Sequence, residues 1–224
     1  MNATDQFEDL RPFVADEIPA AMQRIADSEA FDALARYVFP HRDVEEVRRM
    51  VRAIRTTDEF QMSVMYHVNL RIIRRSITRL TVDGLDALDP AERYLFISNH
   101  RDIVLDAAFL NVLLYDVGYD MTQIAIGDNL IIYPWIRLLV RLNNSFIVKR
   151  NLSARRLLEN SRILSAYIRH TLRQTHESIW IAQREGRAKD SNDQNQTSVL
   201  KMLCMAGEGD EGLLDNLMEL NIVP

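Results

Sequence analysis

From residue 94 onward the sequence alternates between two kinds of segment, and this limits the fold more than any other feature. Short apolar runs, "YLFIS" (94–98), "TQIAIG" (122–127), "SFIVK" (145–149) and "SIWIA" (178–182), are separated by stretches of helical character. These are "IVLDAAFLNVLLYDV" (103–117), "PWIRLLVRL" (134–142) and a long segment near 153–176. Runs that stay apolar suit strands covered on both faces, as in a parallel sheet whose crossovers are helices. The pattern predicts an α/β fold over 83–224, a mostly parallel sheet with flanking helices, followed after 182 by a polar loop to about 197. Residues 1–82 read as a preceding helical N-terminal region. Within it 12–80 is helical, Pro40 and His41 break the pattern, and Asp43 is placed to cap the next helix. The turn-rich "TVDGLDALDPAER" connects the two parts.

In parallel sheets ligands bind outside the carboxyl ends of the strands. Three polar clusters follow predicted strands: His100 to Asp106, Lys149–Arg150, and Gln183 to Arg187. His100 with a nearby carboxylate, Asp106 or Asp102, has the composition of a general base and its orienting partner. No serine or cysteine is needed if the attacking hydroxyl belongs to the substrate. The same residues also fit quieter roles: Asn99 or Asp102 as a helix cap, His100 as a buried imidazole. Lys149 and Arg150 are suited to clamping a phosphate. Gly186, between Glu185 and Arg187, lets backbone approach a ligand closely. A kinase is excluded, since the asparagine its catalytic loop requires is Ala107 here and no glycine-rich loop exists. No P-loop, HExxH or CxxC spacing occurs, so no metal site is expected.

Charge is uneven. Residues 137–173 carry nine basic side chains against Glu159, a net of +8 in a chain whose total is −5. The block suggests an anionic partner, or the solvated face of helices. Nucleic acid is not expected as that partner, because the arginines lack interleaved aromatics and no known binding motif occurs. A single cysteine fits a reducing compartment. The acidic start "MNATDQFEDLRPF" lacks the apolar core of a signal peptide, and no run reaches the roughly 20 apolar residues of a membrane span. The expected location is cytoplasmic, with peripheral contact at the inner face of the cell membrane.

Taken in order, "NHRDIVLD", "SFIVKR", "REGR" and the terminal "NIVP" resemble the four motifs of the glycerophosphate acyltransferase superfamily, over residues 94–224. That superfamily includes the glycerol-3-phosphate and 1-acylglycerol-3-phosphate (lysophosphatidate) acyltransferases. The resemblance implies an enzyme that moves a fatty acyl group from acyl-CoA or acyl-carrier protein to a hydroxyl of glycerol-3-phosphate or lysophosphatidate in phospholipid synthesis. His100 would be the general base and Asp106 its orienter, with Asp102 the competing assignment. Arg101, Lys149, Arg150 and Arg187 would bind the phosphorylated glycerol, with Glu185 and Gly186 shaping that site. No cofactor and no metal is implied. The pattern departs from the family in two places: five residues, not four, separate His100 from Asp106, and "REGR" is one residue short. The chain also stops where the fourth motif begins, so it reads as truncated. The alternative is therefore a non-catalytic relative that binds anionic lipid or acyl thioester. The apolar "LIIYPWIRLLV", with Tyr133 and Trp135, suits either a membrane interface or a crossover helix packed on the sheet.

Overall fold

A computed structural model of the protein describes residues 5–184, 186–190, 194–207 and 212–224. The chain divides into two compact units, each built from discontinuous segments. The α/β unit comprises residues 1–11, 82–130 and 146–224, and the helical unit 12–81 and 131–145.

In the helical unit, α1 (Ile18–Ala26), α2 (Phe31–Val38) and α3 (Val44–Ala53) precede α4 (Thr57–Phe60). A π-helical turn (Gln61–Met65) then runs into α5 (Tyr66–Ser76). The predicted break at Pro40–His41 falls between α2 and α3, but each side of it holds more than one helix, and residues 77–81 are not helical. The stops are chemical. Asp43 caps α3 by accepting the backbone N–H groups of Glu45 and Glu46, and the Thr56 hydroxyl does the same for Glu59 at 3.0 Å. One apolar stripe from each of α1, α2 and α3 meets around Met22, Phe31, Val47 and Phe60, all buried. To this unit belongs α7 (Pro134–Leu142), which buries Leu142 in that core and leaves Tyr133 and Trp135 exposed and stacked. No described helix is long and apolar enough to cross a membrane.

The α/β unit holds β1 (Leu95–Ser98), α6 (Leu105–Asp116), β2 (Gln123–Gly127), β3 (Ser145–Val148) and α8 (Ala154–His170). It continues with β4 (Ile179–Ala182), α9 (Thr197–Leu203), α10 (Leu213–Met218) and β5 (Ile222–Val223). The sheet is parallel, in the order β3-β2-β4-β1-β5. Four of its five strands follow the predicted apolar runs. The fifth is the terminal "NIVP" segment, which adds to β1 with Leu95 opposite Ile222. The helices α9 and α10 follow the predicted polar loop, in a stretch for which the sequence suggested nothing definite. The predicted long helix ends at His170 and passes into a π-helical turn, Thr171–Thr175.

Each described return from helix to strand uses a left-handed residue: Gly118 before β2, Asn144 before β3, His176 before β4 and Asn221 before β5. Such a residue stops a helix within one position and sends the chain back toward the sheet, and glycine and asparagine adopt it most cheaply.

One face of the sheet packs Leu95, Ile179 and Ile181 against Leu164, Tyr167 and Ile168 of α8, with Phe7 and Leu10 from the chain start. The other packs Phe96, Ile124 and Trp180 against Ala107 and Leu114 of α6. Buried Arg169 on α8 ties in the C-terminal helices, donating to the carbonyls of Asn216 (2.9 Å) and Leu203 (3.4 Å) and pairing with Glu219. An Arg169→Met variant leaves those carbonyls and the carboxylate without their donor. The expected cost is about 3 kcal/mol, because a broken buried pair loses more than it would have to if both partners went. Thermal melting should show a Tm roughly 6–12 °C lower.

Candidate active site

The site is built on the loop between β1 and α6. Asp102 closes the turn that leads into α6: its Oδ1 accepts the backbone N–H of Val104 and of Leu105, both at 2.9 Å. Asp106 sits in the first turn of α6 and points back. Its Oδ2 accepts from His100 Nδ1 at 2.9 Å, from Arg101 N–H at 2.8 Å and from Asp102 N–H at 3.0 Å. Three donors converge on one oxygen. Residues 103 and 104 form a turn before α6, which absorbs the additional residue between His100 and Asp106. Of the two carboxylates considered from the sequence, Asp106 makes the contact with the imidazole and Asp102 holds the turn before α6.

The Asp106 contact fixes the ring. An ionised carboxylate only accepts, so Nδ1 carries the proton and Nε2 is the available lone pair. The imidazole is half-buried, with the edge of Trp180 at a ring-centroid distance of 5.9 Å. The Trp180 indole N–H in turn donates to Ser98 Oγ at 2.9 Å. Trp180 was not singled out from the sequence. The signal was an aromatic residue inside a predicted strand, but its meaning depends on β4 lying next to β1, with Phe96 opposite Trp180.

The loop after β4 closes on the same place. Gln183 N–H donates to Ser98 O at 2.8 Å and Ala188 N–H donates to His100 O at 2.6 Å. Gly186 has φ +73, a conformation that suits glycine. Arg187 is exposed, and its charge helps hold the Asp102 carboxyl below the ordinary carboxylate range. The leading causes of that depression are the Val104 and Leu105 N–H groups, and His100 adds to it. Glu185 lies outside the described residues.

Lys149 and Arg150 stand at the same carboxyl edge but at β3, three inter-strand spacings (~14 Å) from β1. Lys149 is turned to Asp9, with Nζ 3.4 Å from its carboxylate. Arg150 leans the other way, across the end of β2. Its backbone N–H donates to Asp128 Oδ1 at 3.0 Å, and a side chain at position 127 would bring a Cβ within 3.3 Å of its Nε. Gly127 therefore keeps that path clear. The structure thus brings His100, Asp106, Asp102, Arg101, Gly186 and Arg187 together on two neighbouring strands. Arg150 reaches toward them and Lys149 is outermost.

Beneath the loop is a cavity of about 340 Å³. Phe96, Leu110, Leu113, Trp180, Val223 and Pro224 form its apolar wall, and Asp106, Arg101 and Asn99 its polar rim. Among the described residues no group of three or more metal-ligating side chains occurs.

Asp102 yields a prediction with a definite sign. Its folded-state pKa lies below the unfolded one, so its contribution is complete above the unfolded carboxylate range, near 3.9, and is lost as pH falls through the folded value. Asp102→Ala should cost about 1 kcal/mol at pH 7, the scale of losing a side chain that accepts backbone N–H groups ahead of a helix. Melting curves of the two proteins should converge once acid has protonated the wild-type carboxylate.

Comparison with known proteins gives the layout a class. The family model described as Acyltransferase matches residues 79–219, a stretch that contains β1 to β4 and every candidate site residue. The protein is an acyltransferase. It belongs to the glycerophosphate/1-acylglycerol-3-phosphate acyltransferase family. Comparison with the curated proteins returns no match.

Proposed function

We propose that the protein transfers a fatty acyl group from a thioester, acyl-CoA or acyl-carrier protein, to a hydroxyl of glycerol-3-phosphate or lysophosphatidate. The observation that carries this reading is the His100–Asp106 contact at the carboxyl end of β1, which leaves Nε2 as the free lone pair. Nε2 takes the proton of the acceptor hydroxyl as its oxygen attacks the thioester carbonyl carbon. The tetrahedral intermediate collapses, the C–S bond breaks, and the imidazolium returns its proton to the departing thiolate. One ester bond forms for each thioester lost, and the histidine ends as it began. Asp106 keeps the ring in the tautomer that this requires and steadies the imidazolium.

Arg101, Arg187 and Arg150 supply positive charge for the acceptor's phosphate, with Lys149 at the rim, and Gly186 lets the backbone come close. Glu185 is assigned to the same acceptor site on the resemblance alone. The apolar cavity below Asp106 suits the acyl chain, since burial of methylenes drives its binding. Peripheral contact with the inner face of the cell membrane fits a reaction whose product is a lipid, and the exposed Ile132, Tyr133 and Trp135 are suited to it.

Incubation of the purified protein with labelled acyl-CoA or acyl-carrier protein, and each acceptor in turn, tests the proposal directly. Labelled lysophosphatidate or phosphatidate is the expected product. No labelled ester from any of the four combinations would overturn it.

A further inference from the structure

We infer that the carboxyl edge of the sheet docks on an anionic bilayer through the first half of α8, so that the mouth of the site faces the lipid; the inference rests on the acyl-transfer reading. The first observation is one of length. α8 has 17 residues, about 25 Å, whereas the four-residue strands it packs beside span about 13 Å. Its buried residues begin at Leu164, and among residues 154–163 none is buried. Since α8 starts from the carboxyl end of β3, its first ten residues overhang the edge at which His100 lies.

The second observation is what the overhang carries. Leu157 and Leu158 sit seven residues before Leu164 and Ser165, on the same stripe that enters the core, yet they are 53% and 47% exposed. The stripe continues beyond the buried part of α8 and stays about half exposed among the described residues. Arg155, Arg156 and Arg162 flank it, all exposed and without an ion pair among the described residues, and Glu159 is the one acid beside them. At the β1 end of the same edge, Ile103 and Val104 in the site's own loop are 48% and 53% exposed. β1 and β3 are ~14 Å apart. Aliphatic contacts therefore recur on both sides of the mouth, with cations around one of them.

Exposed aliphatic groups beside arginines are what an interface of fatty chains and anionic headgroups attracts. One flat lipid surface meets both aliphatic patches at once. It also receives the acyl-bearing product where it leaves. A folded acidic partner would satisfy the arginines equally well, and the experiment separates the two.

Co-sedimentation with phosphatidylglycerol/phosphatidylcholine vesicles, compared with phosphatidylcholine alone, is the measurement. Binding should require phosphatidylglycerol. L157S/L158S should weaken it at least roughly tenfold, as expected for losing two inserted aliphatic side chains. R155A/R156A should weaken it roughly thirtyfold at low salt and much less at high salt. L213S/L214S removes an equally exposed aliphatic pair from α10, which leads into the amino end of β5, and should stay within about twofold of wild type. Wild-type binding by L157S/L158S would overturn the inference. So would a wild-type protein that ignores vesicles but captures acyl-carrier protein through Leu157 and Leu158. The assay needs no turnover, so a protein that binds vesicles through these leucines but forms no ester would sink the acyl-transfer reading alone.

Discussion

Turnover by a His100→Ala variant falls by roughly 10³-fold, in the middle of the 10²–10⁴ range that a positioned general base contributes. The side chain is half-buried, hydrogen-bonded to Asp106 and set against the Trp180 ring, so alanine removes the base without opening a large void in either core. Circular dichroism and melting temperature should change little. Added imidazole should restore part of the rate, because what is missing is a proton acceptor rather than a binding surface. A variant with wild-type turnover would remove His100 from the chemistry and leave the apolar cavity and the cations without a reaction.

The second large effect is expected at Asp106, where alanine and asparagine should behave differently. A single oxygen, Oδ2, accepts from the imidazole and from two backbone N–H groups. Asp106→Ala strands all three donors: the ring is free to turn, and the Arg101–Asp102 backbone loses what holds it. A loss of about 10²–10⁴-fold in kcat is expected, approaching that of His100→Ala. Asp106→Asn can place its amide oxygen where Oδ2 was and keep all three hydrogen bonds, so mainly the charge is lost. Charge-assisted hydrogen bonds are about twice as strong as neutral ones, so a loss nearer tenfold is expected. Equal damage from the two substitutions would show that charge, not ring placement, is what Asp106 contributes. Wild-type turnover in both would exclude the pair.

The alternation of β1 to β4 with helices was legible because each strand is a short apolar run ended by polar residues, a pattern set locally. So was the proximity of His100 and Asp106, since a six-residue separation across a strand–helix turn leaves little freedom. The lateral order of the strands was not. β1 lies between β4 and β5, and β3 is at the far edge. Pairings across such distances depend on how crossovers pack, which no short stretch encodes. That order makes Trp180 a neighbour of His100 and keeps Lys149 outermost. The β4 loop was legible only in part: Gly186 has the positive φ its residue type suggests, but the hydrogen bond from Ala188 to the His100 carbonyl has no sequence signature. The short α10 lacked enough periodicity to be read as helix, and β5 was legible through the fourth-motif resemblance as an apolar segment, but not in its pairing with β1.

Phe7 and Leu10 belong to the core of the α/β unit, where Phe7 meets Tyr167 edge-on and Ile147 N–H donates to Leu10 O. Their partners lie about 140 to 160 residues further along the chain. On a ribosome adding about 5–20 residues per second, this segment waits roughly 7–32 s before the groups that cover it have been made. The α/β unit therefore cannot complete its fold from the front. Its two earliest apolar anchors stay uncovered in the nascent chain, available to chaperones, until α8 has emerged.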